Sequence, residues 1–396
     1  EVNPMYRGKQ VFFTASKEVI QQLLACNRLS AEVWNACLDE AKQHHKATGK
    51  WINQTQLQAS TKKSVKLHSQ SIQAVCHKYL FSRDSTHKAK LKGIKTARYP
   101  YRRKKHFNTK WVDQAFTLFA NGKIELSMGI HDGKRQKPLV VYAQNLPEGD
   151  IKEIELCFDR KLYLSISYDD GTQPLENTHM QAVGVDMGEI HSFASVHENG
   201  EALIITGRKI RSIHRLRNKK VAELQRKMSK CKKGSRQWKK YNRANQFILS
   251  KSDRQLQDAC HKSTHAFVEW CMEQSAKAVY VGDVSTVAKN TKKKKRLRRK
   301  ERQKMSNWQS GKLLEYLTYK AEAKGIEVKV VNEAYTTQTC PVCHARKKPK
   351  GRTYTCRCGY ERHRDLHGAS NILSEQLHGS FTFIPVTQKP KYLRIA

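Results

Sequence analysis

Four cysteines near the end of the chain constrain its fold more than any other feature. Cys340 and Cys343 form one close pair, and Cys356 and Cys358 form a second pair after twelve intervening residues. Two close pairs of thiolates can supply the four ligands of a tetrahedral Zn²⁺ site that has no open position and is therefore structural. A redox pair is the alternative. We predict a zinc ribbon over residues 336–359, with these four cysteines as its ligands.

The other seven cysteines are scattered through patterned segments, as Cys26, Cys37 and Cys260 illustrate. A total of eleven is odd, and this distribution does not indicate a disulfide framework. We interpret the seven as ordinary reduced thiols in a reducing compartment, which leaves the clustered four as one metal site.

Positive charge dominates the composition. The chain has 75 Lys+Arg against 35 Asp+Glu, a formal net charge of +40. A molecule that repels itself so strongly is expected to bind a polyanion. The basic residues are spread through patterned sequence and are not confined to a histone-like tail, so we predict nucleic acid as the partner. No stretch approaches the roughly 18 apolar residues that span a bilayer, and the sequence starts without a signal-peptide pattern.

The first half of the chain divides by its hydrophobic period. Residues 1–16 are predicted to form a strand, and residues 17–95 have helical spacing that predicts three or four helices. From 111 to 170 the period changes to two, which is typical of strands. We predict a small antiparallel β-barrel or sandwich over 1–16 plus 96–178, with the helices of residues 17–95 inserted into it.

From residue 182 onward, strands and helices follow the order β-β-β-α-β-α-β-insertion-α. This is the order of an RNase H-like fold, in which a three-strand antiparallel meander is extended by parallel strands and flanked by helices. We predict this domain over 179–335 plus 360–376, with the zinc ribbon as its insertion and a flexible tail over 377–396. The fold class is thus α+β multidomain, with an N-terminal β-barrel that carries inserted helices followed by an RNase H-like α/β domain.

Two carboxylates occupy positions that favour metal binding. Asp186 ends an apolar strand that begins at Ala182, and Asp365 lies near the start of the last helix. Hard cations such as Mg²⁺ take carboxylate oxygens, and two such acids support a two-metal phosphodiesterase. Each acid has an alternative role. Asp186 would then be a turn aspartate shortly before Gly188, and Asp365 would be a helix N-terminal acid that the macrodipole favours.

The third acid has two candidates. Asp283 follows the strand Ala278–Val281, and Glu333 follows the strand Val328–Val331. Parallel strands end at the same edge of a sheet, so either acid could reach metals bound at Asp186. Glu333 has the longer side chain, which suits a strand further from the centre. Asp283 has the alternative role of bonding the backbone of the following turn.

Two basic runs indicate where nucleic acid binds. Residues 208–251 hold 17 Lys/Arg against one acidic residue, at helical spacing that could line a duplex backbone, with Trp238 and Tyr241 available for stacking. The run Lys292–Lys304 holds ten basic residues opposed only by Glu301. We interpret the second run as a loop that orders on binding nucleic acid. The alternatives are a solvated basic helix for the first run and a localisation signal for the second.

Four stretches have to be considered together: Gly184-Val-Asp-Met-Gly188, Glu333-Ala-Tyr-Thr-Thr-Gln-Thr-Cys340-Pro-Val-Cys343, Cys356-Arg-Cys-Gly-Tyr360 and Arg364-Asp-Leu-His-Gly-Ala-Ser-Asn-Ile-Leu373. In combination they resemble the TnpB family, which comprises transposon-encoded RNA-guided nucleases related to type V CRISPR effectors. The resemblance covers roughly the C-terminal half. The N-terminal half is similar only in element order, which resembles the family's wedge barrel with an inserted helical recognition lobe.

The resemblance implies a RuvC-type nuclease domain whose acids are Asp186, a glutamate and Asp365. Family members usually have Glu-Asp after the strand that ends near Val281, whereas here the glutamate position is Gly282. A subgroup that this chain resembles is thought to use a relocated glutamate, which is Glu333 here. We therefore take Asp186, Glu333 and Asp365 as the catalytic magnesium ligands. His363 also stands where an acid is common in the family.

The predicted function is Mg²⁺-dependent, two-metal-ion hydrolysis of double-stranded target DNA next to a short transposon-adjacent motif. The resemblance implies a guide RNA derived from the transposon end, and base pairing reads the target. We expect a monomer, cytoplasmic and nucleoid-associated in a bacterium, with no membrane partner. The alternatives are a nuclease-inactive RNA-guided DNA-binding regulator and a guide-free nucleic-acid-binding accessory protein of transposition.

Overall fold

The computed structural model describes residues 6–285, 298–386 and 389–395. They divide into two compact units, Glu1–Gln173 and Pro174–Ala396. No helix in the described ranges combines the length and the apolar character needed to cross a membrane.

Three helices occupy the segment where helical spacing predicts them. They are α1 (Lys17–Thr48), α2 (Gln54–Thr61) and α3 (Ser69–Leu91). Ser16 starts α1 because its hydroxyl accepts a hydrogen bond from the Val19 amide, and Gly49 ends the helix in the left-handed region at a φ of 69°. The buried face of α1 includes Leu23 and Trp34, which belong to the apolar core of this unit.

The first unit also contains two four-stranded antiparallel sheets, with strand orders β1-β10-β9-β3 and β2-β8-β5-β4. The strands are β1 (Tyr6–Val11), β2 (Phe13–Thr14), β3 (Thr109–Val112), β4 (Phe116–Leu118), β5 (Lys123–Leu126), β8 (Leu139–Ala143), β9 (Asp150–Asp159) and β10 (Lys161–Asp169), with a separate hairpin of β6 (Ile130–His131) and β7 (Lys134–Arg135). The strands before α1 therefore join strands that follow α3, which agrees with helices inserted into a β-structure.

A six-stranded mixed sheet forms the centre of the second unit, in the order β15-β14-β11-β12-β13-β18. Its strands are β11 (Gln181–Asp186), β12 (His191–His197), β13 (Ala202–Thr206), β14 (Ala276–Gly282), β15 (Glu327–Val331) and β18 (Lys391–Arg394). β11, β12 and β13 form the antiparallel meander, and β14 and β15 extend it in parallel. This is the RNase H-like order that the sequence predicts.

Five helices and one small hairpin complete the described part of the second unit. They are α4 (Arg208–Ser229), α5 (Arg236–Glu273), α6 (Arg299–Asn307), α7 (Ser310–Ala323) and α8 (Arg364–His378), and the hairpin of β16 (Thr353–Thr355) and β17 (Glu361–His363). The first basic run thus forms α4 and the beginning of α5. Of the second run, residues 292–297 lie outside the described residues, and α6 begins at Arg299.

The prediction of a flexible tail over 377–396 is wrong for its last part. Residues Lys391–Arg394 form β18, which pairs in parallel with Leu203–Thr206 of β13. Without β18, the outer edge of β13 would present unpaired backbone groups, and pairing satisfies them. Leu393 and Ile395 also pack against the core of the unit, so burial adds to the hydrogen bonds.

Candidate functional site

The topology of the second unit brings the predicted acids to one edge of the sheet. β14 runs parallel to both β11 and β15, so the carboxyl ends of these three strands lie side by side. Asp186 is the last residue of β11, and Glu333 follows the last residue of β15 by two positions. Asp365 lies in the first turn of α8, a helix that packs against β11.

Two glycines make room for these side chains. A Cβ atom at Gly282 would lie 2.7 Å from Oε2 and 3.0 Å from Cβ of Glu333, so the Glu333 side chain occupies the space above Gly282. A Cβ atom at Gly368 would lie 2.6 Å from Oδ2 of Asp186. Gly368 therefore lets Asp186 approach α8 one turn from Asp365. Each glycine is needed for a close approach to a carboxylate.

Hydrogen bonds hold the segment that follows Glu333 against α8. The carbonyl oxygen of Glu333 accepts hydrogen bonds from the amide and the hydroxyl of Thr336 at 3.3 and 2.9 Å. The side-chain amide of Asn371, which is fully buried, donates to the carbonyl oxygens of Thr336 and Thr339 at 2.7 and 2.8 Å. Asn371 thus fixes the segment between Glu333 and the first zinc-ribbon cysteine.

Asp365 is buried and surrounded by basic groups. His191 Nδ1 lies 2.8 Å from Oδ2, and Arg364 donates to Oδ1 from Nε at 3.1 Å and Nη2 at 3.0 Å. Burial alone would raise the pKa of Asp365, but the hydrogen bonds from His191 and Arg364 and their charges lower it to about 2. Asp365 is therefore ionised at neutral pH.

The other two acids have raised pKa values. Burial raises the pKa of Asp186 to about 8, with further contributions from the negative charges of Asp365 and Glu333. Burial and the charge of Asp283 raise the pKa of Glu333 to about 7. Gathering these carboxylates disfavours their ionisation, and a bound cation would reverse that effect. Carboxylate oxygens are the ligands that Mg²⁺ prefers, so the residues fit this ion.

Asp283 bonds the backbone of the turn that follows it, which is the alternative role described above for this residue. Its Oδ1 accepts a hydrogen bond of 2.8 Å from the Ser285 amide, and its own amide donates to the Val331 carbonyl oxygen. Asp283 therefore supports the turn that follows β14, whereas Glu333 lies above Gly282.

Sequence reasoning missed His191, the first residue of β12. Among the described residues, His191, His363 and Asp365 form a cluster whose potential ligand atoms all lie within 4.8 Å of one another. The set of Asp186, Glu333 and Asp365 is not drawn together so tightly, since Asp365 directs its oxygens to His191 and Arg364. A histidine at the start of a strand has no distinctive spacing, so only its position five residues after Asp186 could have indicated it.

The four predicted cysteines also form a cluster, with all four Sγ atoms within 4.8 Å of one another. The Sγ atoms of Cys340 and Cys358 are 3.6 Å apart, and those of Cys343 and Cys356 are 3.4 Å apart. A disulfide bond is about 2.05 Å long, whereas ligands at about 2.3 Å from one Zn²⁺ at a tetrahedral angle are separated by about 3.8 Å. The separations fit the ligand set of a Cys₄ zinc site and are too long for a formed disulfide bond.

Backbone hydrogen bonds shape the two cysteine turns. The Cys340 amide donates to the Ala345 carbonyl oxygen at 3.0 Å, and the Cys356 amide donates to the Tyr360 carbonyl oxygen at 2.8 Å. Hydrogen bonds from the Cys358 backbone and from the Cys343 thiol lower the pKa of Cys356 to about 6, whereas burial raises the pKa of Cys340 to about 12. The other seven cysteines are free thiols, as predicted, and all of them except Cys231 are buried.

Two family models match the chain. Residues 165–288 match the model OrfB_IS605, described as "Probable transposase", and residues 311–372 match the model described as "Cas12f1-like, TNB domain". The first match spans the meander, α4, α5 and β14. The second spans α7, β15, the cysteine cluster and most of α8.

Two relatives and two solved structures extend these matches. A TnpB-like protein of Methanocaldococcus jannaschii is 26% identical over 205 residues, which are 50% of this chain and 70% of the relative. A Streptomyces pristinaespiralis protein named "Putative RNA-guided DNA endonuclease" is 27% identical over 299 residues, 73% of this chain and 67% of the relative.

The structure of a Cas12f1–sgRNA–target DNA complex matches with a TM-score of 0.63 and 14% identity, covering 91% of this chain and 84% of that one. The mini-RNA-guided endonuclease CRISPR-Cas_phi3 matches with a TM-score of 0.55 and 11% identity, covering 97% and 94%. At these identities the likeness shows a shared fold. The two family models and the TnpB-like relative, taken together with this shared fold, support a TnpB family protein.

Proposed function

We propose that this chain is an RNA-guided DNA endonuclease that hydrolyses double-stranded target DNA with Mg²⁺ at a RuvC-type site. The position of Glu333 above Gly282 carries the proposal. The strand that usually supplies the family's glutamate ends here in a glycine, and the next strand supplies a glutamate to the same space. Loss of the usual catalytic acid alone would not explain why Gly282 is combined with Glu333 in the same space.

Asp186, Glu333 and Asp365 would hold the metal. When bound there, Mg²⁺ would supply an activated water and charge stabilisation for the leaving oxygen, and hydrolysis would leave 5′-phosphate and 3′-hydroxyl ends. Neighbouring residues set the charge and the orientation of these carboxylates. His191 and Arg364 keep Asp365 ionised and oriented through their hydrogen bonds. The raised pKa values of Asp186 and Glu333 mean that a cation binds in competition with protons.

The partners follow from the family. A guide RNA derived from the transposon end would direct cleavage, and the name of the S. pristinaespiralis relative and the sgRNA in the Cas12f1 complex support this proposal. The first unit would read a short motif beside the target while base pairing reads the remaining sequence. The four cysteines would hold a structural Zn²⁺. The active particle would contain one protein chain.

The test starts from the purified ribonucleoprotein. The bound RNA is sequenced, and plasmids that match its variable end beside randomised flanks are incubated with the particle and Mg²⁺. We expect cutting next to a short common motif by the wild type and none by Asp186→Ala, with equal RNA content in the two preparations.

Two results would contradict the proposal in different ways. Guide-dependent plasmid binding without cutting by the wild type would identify an RNA-guided regulator. Binding that ignores the guide and weakens steeply with salt, with no RNA retained in a fixed ratio, would identify a guide-free nucleic-acid-binding protein.

A further inference from the structure

A cluster of two histidines and one carboxylate shares Asp365 with the proposed catalytic acids. His191, His363 and Asp365 each offer one potential ligand atom, and these atoms all lie within 4.8 Å of one another. We name this set the histidine cluster. Among the described residues, Asp186 and Glu333 belong to no group of three or more such residues that is drawn together as closely. The histidine cluster is therefore a donor set of its own.

Three different elements bring the side chains of the histidine cluster together. His191 is the first residue of β12, and a hydrogen bond of 2.8 Å from the Gly188 amide to the His191 carbonyl oxygen closes the turn before it. His363 ends β17, where it pairs with Thr353 of β16. Asp365 follows in the first turn of α8. A sheet, a hairpin and a helix thus fix the three positions.

Burial and ring contacts hold the imidazoles in place. The side chains of His191 and Asp365 are each 9% exposed. The ring centroids of His191 and His363 are 5.3 Å apart, and Tyr392 of β18 meets the His191 ring in a T-shaped contact at 5.9 Å. Side chains that are already ordered lose little conformational entropy when they bind a ligand.

One nitrogen of the histidine cluster lacks a partner. His363 Nδ1 is buried and has no hydrogen-bond partner among the described residues. A buried polar atom of this kind costs free energy until a ligand pairs with it.

The other two ligand atoms already have a spacing close to that around a metal ion. His191 Nδ1 lies 2.8 Å from Oδ2 of Asp365. Around an ion with bonds of about 2.1 Å, neighbouring ligand atoms are separated by about 3.0–3.4 Å. The pair therefore has to open only slightly to accept an ion between its atoms.

Two arginines also contact Asp365, and one of them competes with a cation. Arg364 donates to Oδ1, which leaves Oδ2 for His191. Arg352 Nη1 lies 3.5 Å from Oδ2, and the Arg352 side chain is 44% exposed. A cation that binds Oδ2 has to displace this guanidinium, which has solvent to move into.

The donor atoms of the histidine cluster select the kind of metal ion. Imidazole nitrogen suits Zn²⁺ and other first-row transition metal ions, whereas Mg²⁺ prefers oxygen ligands. Two imidazoles and one carboxylate also leave coordination positions for water, as in zinc sites with three protein ligands. The chemistry therefore differs from that of an all-carboxylate magnesium site and from that of the four cysteines.

We propose that the histidine cluster binds a first-row transition metal ion of the Zn²⁺ type. His191 and His363 supply nitrogen ligands, and Asp365 supplies Oδ2 as the third. The inference goes beyond the proposed function, because binding of this ion does not require that the chain cuts DNA.

The zinc content of the ribonucleoprotein tests the proposal. Each particle is dialysed against millimolar Mg²⁺, which occupies the RNA phosphates, and micromolar free Zn²⁺, and zinc per chain is then measured by elemental analysis. The cluster variant combines His191→Gln and His363→Gln. The control variant combines His179→Gln and His265→Gln, which removes two exposed histidines outside the cluster.

We expect the wild type and the control variant to hold one equivalent of zinc more than the cluster variant. Glu333→Gln should keep this additional equivalent, because Glu333 is not part of the cluster. Equal zinc content in the wild type and the cluster variant would overturn the proposal. Loss of the additional equivalent in Glu333→Gln would also overturn it, since the ion would then belong to the carboxylates. Tm and RNA content identify a variant that has not folded.

Arg352→Gln gives a second test that removes no ligand. Because the guanidinium competes for Oδ2, its loss should lower the Kd of Zn²⁺ at the additional site at least about threefold. Lys350→Gln, at an exposed position of the same loop, is the matched control and should leave this Kd within about twofold of the wild type. A Kd that is unchanged or higher in Arg352→Gln would contradict binding at Asp365.

Discussion

At the scale of single residues, the glycine at position 282 makes room for the glutamate at position 333. The Glu333 carboxylate lies where a Cβ atom at Gly282 would be 2.7 Å from Oε2, so the glutamate requires the glycine. The same relation holds between Asp186 and Gly368. Asp186 and Glu333 can therefore take their positions only because Gly368 and Gly282 have no side chains. In the proposed site, Glu333 can occupy this space only because position 282 carries no side chain.

The Gly282→Ala substitution should displace Glu333. The added methyl group pushes the carboxylate away from the site, and displacements near 1 Å are worth about 10²-fold in rate, so we predict cutting that is roughly ten- to hundredfold slower. The rate is measured in single-turnover plasmid cleavage, with Tm as the check on folding. Gly311→Ala is the matched control because its Cβ would meet nothing within 4 Å. Unchanged cutting by Gly282→Ala would show that Glu333 is not needed where it lies.

His214 should make the protein sensitive to acid. Burial and the nearby Arg217 lower the pKa of His214 to about 4, whereas an unfolded histidine titrates near 6.5. The unfolded state thus binds more protons between these values, and the stability that neutral His214 confers is lost as pH falls from about 6.5 towards 4. Between pH 7 and pH 5 we expect a loss on the order of 1–2 kcal/mol from this residue.

The measurement compares Tm at pH 7 and pH 5 for the wild type and His214→Gln. The variant should lose less stability on acidification, and His265→Gln, at an exposed position on α5, should behave as the wild type. An identical acid shift in wild type and His214→Gln would contradict the assignment.

At the scale of elements, the insertion with the four clustered cysteines is the part that we propose to be a zinc ribbon. Cys340 is buried, and it stands directly after the segment that Asn371 holds to α8. The ribbon therefore connects the strand that positions Glu333 with the helix that carries Asp365. Loss of the metal is expected to disturb both acids, because structural zinc supplies folding free energy to its domain.

Cys340→Ser should remove the bound zinc. We predict well below one equivalent of Zn²⁺ per chain in elemental analysis and a Tm lower by more than about 5 °C, since one of four ligands is lost and the ribbon depends on the metal. Cys231→Ser, at a half-buried position in the turn after α4, should keep one equivalent. A Cys340→Ser protein that retains a full equivalent would refute the zinc assignment.

The elements also show how far sequence reasoning reaches. The order from β11 to α8 could be predicted because strands such as β11 and β13 are short, largely apolar segments and the helices between them have helical spacing. The cysteine cluster could be predicted because its ligands are close in sequence. β18 could not, since four residues that add to an existing edge carry too short a pattern. Our proposal of Glu333 over Asp283 draws on the hydrogen bond to Ser285 and on the space at Gly282, and the sequence reveals neither.

At the scale of the whole molecule, charge and fold have to be considered together. The chain carries a formal net charge of +40, and α4 exposes most of its basic residues while burying only Ile210, Ile213 and His214. In the same unit, a small edge of the sheet gathers Asp186 and Glu333, whose pKa values are raised, and Asp365, whose pKa is lowered. The proposed function requires both parts, a positive surface that binds phosphates and a carboxylate edge that binds a cation.

The relocated glutamate is the central claim, and one comparison tests it most directly. Single-turnover cleavage of a guide-matched plasmid is measured in Mg²⁺ for wild type, Glu333→Gln and Asp283→Asn. Each substitution keeps the size of the side chain and removes its charge. We predict that Glu333→Gln cuts about 10²–10³-fold more slowly and that Asp283→Asn stays within about threefold of the wild type. Full cutting by Glu333→Gln, or a loss confined to Asp283→Asn, would contradict the account.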